Sequence, residues 1–190
     1  MAREKLKDYV RYYDNILPDD MCRKLCEKFD EVKEKDRIFR RSDKFNFIEL
    51  NMHDMMGKDT KWKAITKEMH GYMQKALSLY RADTGHWVPE TRRFEAPRIK
   101  RYDPDFGNFD WHLDSCDQRS AQRMLVMFWY LNDVPEGGET IFDLGADKPY
   151  KIKPVKGRVA CFPPNFLFPP RGEPPKDIFK YVVSSYACYN

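Results

Sequence analysis

The stretch RIKRYDPDFGNFDWHLDSCDQRSAQRMLVMFWYL, residues 98–131, decides the predicted fold. It follows Pro97, where the apolar residues change from a helical spacing to short strand-like runs separated by Gly, Pro and Asp. The predicted strands are Arg98–Tyr102, Phe109–Leu113, Met124–Leu131, Glu139–Phe142, Tyr150–Ile152, Arg158–Phe162 and Tyr181–Tyr189, with a proline-rich turn before the last one. So many short strands in one segment predict a sandwich or a barrel.

Helical periodicity dominates the first half of the chain. Asp19 or Asp20 is placed to cap a first helix, whose apolar residues continue as far as Val32. A second helix is predicted from about Thr60 to Gly85, with one broad apolar face.

Two short strands and a charged connection complete the first half. Strands are predicted at 9–13 and 45–50. Residues 33–44 are dense in Lys, Arg, Asp and Glu, and we expect them to form a solvated connection. The sequence therefore predicts an α+β fold in one domain, with helices packed against an antiparallel double sheet.

The composition is that of an ordinary globular protein. Hydrophobic residues make up 42% of the chain and charged residues 34%, which excludes a disordered chain. Lys and Arg number 34 against 30 Asp and Glu, a formal charge of +4. This charge is spread along the sequence, so nucleic acid is only a weak candidate partner.

Several features favour a cytoplasmic protein without a membrane segment. The longest apolar run, Met124–Leu131, is too short to cross a bilayer. Residues 1–10 lack the apolar stretch of a signal peptide. The five cysteines are odd in number and irregularly spaced, which favours reduced thiols.

One histidine of four stands beside a carboxylate at a suggestive spacing. His53 and His86 have no such partner, and His70 lies within the second predicted helix, whereas Asp114 follows two residues after His112. On a strand, two such side chains point to the same face. A neutral imidazole and a carboxylate are two of the three protein ligands of a non-haem Fe(II) site. Alone the pair is a weak signal, because many such pairs are only hydrogen-bonded neighbours.

The surrounding sequence strengthens this interpretation. The chain resembles the 2-oxoglutarate/Fe(II) dioxygenases of the prolyl 4-hydroxylase type over about residues 98–190. The stretches that carry the resemblance are IKRYDPDFGNFDWHLD (99–114), MLVMFWYLNDVPEGGETIFD (124–143), IKPVKGRVACFPP (152–164) and KYVVSSYACY (180–189). The resemblance implies a double-stranded β-helix, or jelly roll. It also implies one dioxygenase domain over 1–190, with helical support in 1–97 and the jelly-roll core in 98–190.

The resemblance also assigns roles to particular residues. It makes His112 and Asp114 the catalytic iron ligands, and Lys180 the cation that pairs with the 5-carboxylate of 2-oxoglutarate. Tyr102, Tyr130 and Thr140 match further positions around that cosubstrate, or else they are core residues with satisfied hydroxyls. The implied cofactors are Fe(II) and the cosubstrate 2-oxoglutarate, with ascorbate as a further candidate.

The sequence departs from the family pattern at one ligand. The stretch FLFPPRGEPPKDIFKY, residues 166–181, has Pro170 where the family has its second histidine, ten residues before Lys180. Proline has no side-chain donor atom. Three explanations stay open: a water or another ligand such as Glu173 completes the site, the domain binds without turnover, or Pro170 is a variant of a parent histidine.

Two functions follow from these observations. The first is hydroxylation of a peptide or protein residue, with peptidyl proline favoured by the resemblance and small amino acids still open. The second is a degenerate scaffold that binds 2-oxoglutarate or a protein. Aromatic and basic loop residues are candidates for a peptide groove, although each is more simply an ordinary loop residue. They are Arg92, Arg93, Phe94, Phe106, Phe109 and Trp111. The sequence leaves the oligomeric state open.

Overall fold

The computed structural model describes residues 3–85 and 88–190, so His86 lies outside the described residues. The helices are α1 (Asp19–Glu31), α2 (Met52–Met56) and α3 (Thr60–Thr84), with 3₁₀ turns at Arg3–Tyr9 and Glu34–Asp36. The first strands are β1 (Arg11–Tyr13), β2 (Ile38–Ser42), β3 (Phe45–Asn51), β4 (Arg98–Tyr102) and β5 (Asn108–Phe109). They are followed by β6 (Arg123–Tyr130), β7 (Thr140–Phe142), β8 (Tyr150–Ile152), β9 (Val159–Phe162), β10 (Pro170–Gly172) and β11 (Lys180–Cys188).

The strands form an antiparallel sheet that rolls around a central space. Their order is β1-β9-β6-β11-β4-β3-β5-β10-β7-β8, and β2 pairs with the outer side of β3. Strand β3 joins the two halves of the roll, because its residues 48–51 pair with β4 and its residues 45–46 pair with β5. This arrangement confirms the predicted α+β jelly roll.

Two apolar cores lie on opposite faces of the larger half-sheet. One packs α1 and α3 onto the outer face of that half-sheet, and it includes Leu25, Phe29, Met69, Met73, Trp129 and Val183. The other fills the inside of the roll, and it includes Phe47, Tyr102, Tyr130, Phe142, Phe162 and Val182. Alternation of side chains along β11 explains the split, since neighbouring residues of a strand face opposite sides.

The helix ends agree with the prediction in one case and not in the other. Helix α3 ends at Gly85, whose φ of 100° is available to glycine at little steric cost. Helix α1 begins one residue earlier than predicted, with Pro18 as N-cap and no side-chain cap. The predicted cap by Asp19 or Asp20 is wrong. Both carboxylates lie inside the first turn, where they face the positive end of the helix dipole.

Three predictions about where strands lie also need correction. Part of the predicted connection 33–44 is strand β2, whose five exposed residues hide the alternation that marks a strand. The predicted strand Phe109–Leu113 ends at Phe109, because the following backbone leaves the ladder. The proline-rich turn contains β10, which pairs with β7 and β5.

In the described part of the chain, no helix combines the length and the apolar content that a membrane span requires. The division of 1–190 into helical support and jelly-roll core stays a prediction, and strands β1, β2 and β3 of the first half join the sheet.

Candidate active site

A pocket opens inside the roll, between the larger and the smaller half-sheets. Its walls come from strands β4 to β7, from β9 to β11 and from the segment after β5. The lining residues are Lys100, Tyr102, Phe109, His112, Asp114, Val126, Phe128, Thr140, Phe162, Pro170, Arg171, Gly172, Lys180, Ser184 and Tyr186. The structure therefore brings five of the six predicted site residues to one cavity, and the sixth, Tyr130, lies directly behind it.

His112 is held in an orientation suited to metal binding. Its ring stacks on Phe109, with centroids 3.6 Å apart and planes within 3°. Its Nδ1 lies 2.8 Å from the carbonyl oxygen of Asp110, so Nδ1 carries the proton and Nε2 keeps its lone pair. Burial lowers the pKa of His112, partly offset by the negative charge of Asp114, and this favours the neutral ring that binds metals.

Asp114 approaches the free nitrogen of His112 without bonding to it. The distance from His112 Nε2 to Asp114 Oδ2 is 3.8 Å. Two ligands that bind one divalent ion at about 2.1 Å each are at most about 4.2 Å apart, so the pair fits two positions on one ion. The other oxygen, Asp114 Oδ1, accepts a 2.7 Å hydrogen bond from the hydroxyl of Tyr186. The sequence predicted this pair on a strand. In the structure both residues lie on an irregular segment after β5.

Pro170, at the predicted position of the third ligand, has no side-chain donor atom. It is buried on β10 and lines the pocket, and its carbonyl oxygen accepts a 3.3 Å hydrogen bond from the backbone N–H of His112. Glu173 forms an ion pair with Arg171 and lines a separate surface depression. Within residues 3–85 and 88–190, no three His, Cys, Asp or Glu side chains converge to hold a metal ion. The residues present fit two ligands of a metal site and not the full three-ligand set.

The opposite end of the pocket is built around a buried lysine. Lys180 is only 1% exposed, and its Nζ donates a 3.0 Å hydrogen bond to the carbonyl oxygen of Gly138. The same Nζ lies 4.4 Å from the ring centroid of Tyr102, the residue opposite it in the β11–β4 pair. Burial lowers the pKa of Lys180 to about 7, although the charges of Glu139 and Glu173 act in the other direction.

Hydroxyl groups surround this lysine. The hydroxyl of Tyr130 lies 2.6 Å from Thr140 Oγ1, so Tyr130 meets the pocket through Thr140. The hydroxyl of Tyr102 has no hydrogen-bond partner among the described residues, and the side chain lines the pocket. Burial raises the pKa of both tyrosines, so they stay neutral donors. A buried cation with free hydroxyl donors fits the carboxylate end of 2-oxoglutarate.

The residues predicted to line a peptide groove separate into two groups. Phe109 lines the pocket, and Trp111 is 40% exposed beside it, with Arg171 over its ring at 5.1 Å. Phe94 instead packs beside His70 and against the core under the helices. Arg92 lines a depression beside α3. Only the first group is placed to contact a ligand of this pocket.

Lys100 and Tyr186 are among the pocket residues that sequence reasoning missed. Each lies at an even spacing on a strand from a residue that was identified: Lys100 is two before Tyr102, and Tyr186 is six after Lys180. Because side chains of a strand alternate between faces, this spacing places both on the inner face. Extending the alternation from the known residues would have found them.

Comparison with known proteins agrees with the fold and with the predicted resemblance. Residues 97–187 match the family model of the 2OG-Fe(II) oxygenase superfamily. No curated protein matches the chain. Among solved structures, a Pseudomonas putida prolyl-4-hydroxylase resembles it with a TM-score of 0.73 and 16% identity, over 99% of this chain and 97% of the other.

Two further solved structures share the fold. A Trichoplax adhaerens prolyl hydroxylase, in complex with a peptide fragment of the hypoxia inducible factor oxygen degradation domain, has a TM-score of 0.76 and 13% identity. That match covers 99% of this chain and 87% of the other. The viral collagen prolyl hydroxylase of Paramecium Bursaria Chlorella virus-1 has a TM-score of 0.68 and 21% identity, over 94% of both chains. These matches confirm the fold and, together with the matched family, the predicted resemblance.

Proposed function

We propose that this chain, whose residues 97–187 match the 2OG-Fe(II) oxygenase superfamily, is a 2-oxoglutarate-dependent oxygenase that hydroxylates a residue of a peptide or protein. One observation carries the proposal: His112 Nε2 and Asp114 Oδ2 converge within 3.8 Å in the pocket that also contains the buried amine of Lys180. A metal site and an anion site in one cavity are what such an oxygenase requires.

The anion site binds 2-oxoglutarate through its 5-carboxylate. Lys180 supplies the fixed positive charge, since its amine is buried and held by Gly138. Thr140 and Tyr102 donate hydroxyl hydrogen bonds to the remaining lone pairs, and Tyr130 fixes the Thr140 hydroxyl. A buried carboxylate needs such partners to offset the loss of water.

His112 and Asp114 are the residues that hold the Fe(II) ion. Tyr186 orients the carboxylate, and the Asp110 carbonyl orients the imidazole. Bound iron supplies the oxidising chemistry that attacks an unactivated C–H bond, while the protein positions the substrate and excludes water. Because Pro170 adds no donor, the metal is held more weakly than by three ligands.

A peptide or protein is the favoured substrate. The Trichoplax adhaerens relative was solved with a peptide fragment, which supports this class. Beside the pocket, the exposed face of Trp111 offers an apolar contact for an extended chain. Peptides that contain proline are the first substrates to test, followed by free amino acids, with ascorbate present as a candidate cofactor.

Pro170 favours a second candidate function. A scaffold that has lost its third metal ligand can still bind 2-oxoglutarate or a protein without turnover. The enzyme is favoured because the pocket keeps both of its ends, whereas a binding module has no need for both. One end contains His112 and Asp114, and the other contains Tyr102, Thr140 and Lys180.

The test is succinate production by the purified protein with Fe(II), 2-oxoglutarate, ascorbate and oxygen. We expect slow succinate formation that rises with the iron concentration, and a peptide product heavier by one oxygen atom. His112→Ala is the matched control, because it removes a metal ligand and leaves the Lys180 end intact. Binding of 2-oxoglutarate without succinate at any iron concentration favours the scaffold. Absence of 2-oxoglutarate binding contradicts the enzyme and leaves only a scaffold that binds a protein.

A further inference from the structure

A second buried lysine in the pocket has no role in the function proposed above. Lys100 is 8% exposed and lines the pocket from β4. Its amine forms no hydrogen bond and no ion pair within residues 3–85 and 88–190. Its Nζ lies 4.8 Å from the ring centroid of Phe47 and 5.5 Å from that of Phe109. Aromatic faces compensate only part of the cost of burying an ammonium group, and this lysine lines the pocket, where an anion would pair with it.

The strand register places Lys100 between the two ends of the pocket. Lys100 stands opposite Val182 on β11, and Tyr102 stands opposite Lys180. Lys100 is therefore two residues, or about 7 Å of strand, from the level of Lys180. It lies on the side toward Tyr186, whose hydroxyl binds Asp114. The two lysines therefore lie at different levels of the cavity along the strand direction.

Each nearby carboxylate is already hydrogen-bonded through one of its two oxygens. Glu49, opposite Lys100 on β3, accepts two hydrogen bonds from Arg40, at 2.8 and 3.1 Å. Asp114 accepts from Tyr186. Their charges raise the pKa of Lys100, yet burial dominates and lowers it overall. The Lys100 amine therefore forms no ion pair with these carboxylates, and an anion inside the pocket would bind to it.

We infer that Lys100 is a second carboxylate-binding residue, so that the pocket binds 2-oxoglutarate between Lys180 and Lys100 without a metal ion. This inference rests on the proposed function for the identity of the ligand. Lys180 binds one carboxylate, and Lys100 binds the carboxylate near His112 and Asp114. The Lys100 ammonium supplies there the positive charge that a metal ion supplies to the same carboxylate in a three-ligand site.

Calorimetry of 2-oxoglutarate binding in the presence of EDTA tests the inference. We expect binding by the unmodified protein, and an affinity within about threefold when Mn(II) replaces EDTA. Lys100→Met removes the charge and keeps the length, and we expect it to weaken binding in EDTA about tenfold or more, the loss typical of a charged hydrogen bond. Lys63→Met, on the exposed side of α3, is the matched control and keeps full affinity.

Anion probes on the unmodified protein give a second measurement, in case Lys100→Met does not fold. Glutarate has two carboxylates and butyrate has one. If both lysines bind carboxylates, glutarate displaces 2-oxoglutarate in EDTA and butyrate does so at least about tenfold less well. Equal competition by the two probes would overturn the inference.

The outcomes separate this inference from the proposed function. Binding that appears only after Mn(II) is added overturns the inference and leaves the oxygenase proposal standing. Unchanged affinity of Lys100→Met in EDTA also overturns it. Absence of binding in both EDTA and Mn(II) contradicts the 2-oxoglutarate pocket itself, and both proposals fail.

Discussion

The backbone N–H of His112 donates a 3.3 Å hydrogen bond to the carbonyl oxygen of Pro170. This contact joins the irregular segment after β5 to strand β10, and it places position 170 beside the first candidate metal ligand. Pro170, His112 and Asp114 line the same pocket. The proline side chain at this predicted ligand position has no donor atom.

Replacing Pro170 with histidine is expected to complete the donor set. We expect Pro170→His to raise Mn(II) affinity about 10–100-fold, since even changes beside metal ligands alter affinity by this amount. Succinate formation is expected to accelerate as well. Pro170→Ala is the control, because it removes the fixed φ of proline without adding a donor. Equal Mn(II) affinities for the two variants would show that position 170 points away from the pair.

Tyr186 is expected to support the metal site through Asp114. Tyr186→Phe removes the hydroxyl that donates to Asp114 Oδ1 over 2.7 Å. We expect Mn(II) affinity to fall about tenfold, because the carboxylate loses its orientation. The free energy of unfolding should fall by about 1–3 kcal/mol, the cost of a buried acceptor left without its donor. Tyr189→Phe, at an exposed tyrosine near the end of the same strand, should change neither quantity.

Gly138 is expected to be essential for the position of Lys180. Its φ is +72°, and a Cβ there would lie 3.2 Å from Val134 Cγ1 and 3.3 Å from Lys180 Cδ. We expect Gly138→Ala to lower the free energy of unfolding by about 1–3 kcal/mol and to weaken 2-oxoglutarate binding. Gly71→Ala is the matched control, because Gly71 lies inside α3 with open space around its Cα. That variant should raise stability by up to about 1 kcal/mol, measured by thermal unfolding.

Much of the fold follows from residue periodicity alone. Strands such as β4 and β6 alternate or run apolar, and α3 shows an apolar face between two recognisable ends, so their bounds agree closely with the prediction. Strand β2 was missed because all five of its residues are exposed, which leaves no alternation to detect. Strand β10 was missed because prolines usually break a ladder, whereas Pro170 stands at the start of this strand.

The site was predictable where chemistry and family pattern coincided. His112, Asp114 and Lys180 were identified because their residue types match a known arrangement, and the pocket contains all three. Lys100 was missed because a lysine on a strand usually keeps its charge in water, and burial depends on the closure of the whole roll. The irregular backbone at His112 and Asp114 could not be predicted from the neighbouring residues either, because it depends on contacts with β10, which is distant in sequence.

The affinity for 2-oxoglutarate is expected to depend on pH through Lys180. Burial lowers the pKa of this amine to about 7 in the free protein, and a bound carboxylate raises it again. Below pH 7 the amine is already protonated, so affinity should be nearly constant there. Above pH 7 each binding event must also take up a proton, and affinity should fall by up to about tenfold per pH unit. The pKa of Lys100 is lowered as well, which adds to the loss.

Calorimetry at pH 6 and pH 9, in buffers of different ionisation enthalpy, measures both the affinity and the proton uptake. Lys180→Arg is the control, because a guanidinium group stays charged over this range and should flatten most of the profile. Affinities that are equal at pH 6 and pH 9, without proton uptake at pH 9, would mean that Lys180 is charged throughout. A lysine that is charged at both pH values can still bind the carboxylate, so this outcome would contradict the lowered pKa of Lys180 and not its place in the anion site.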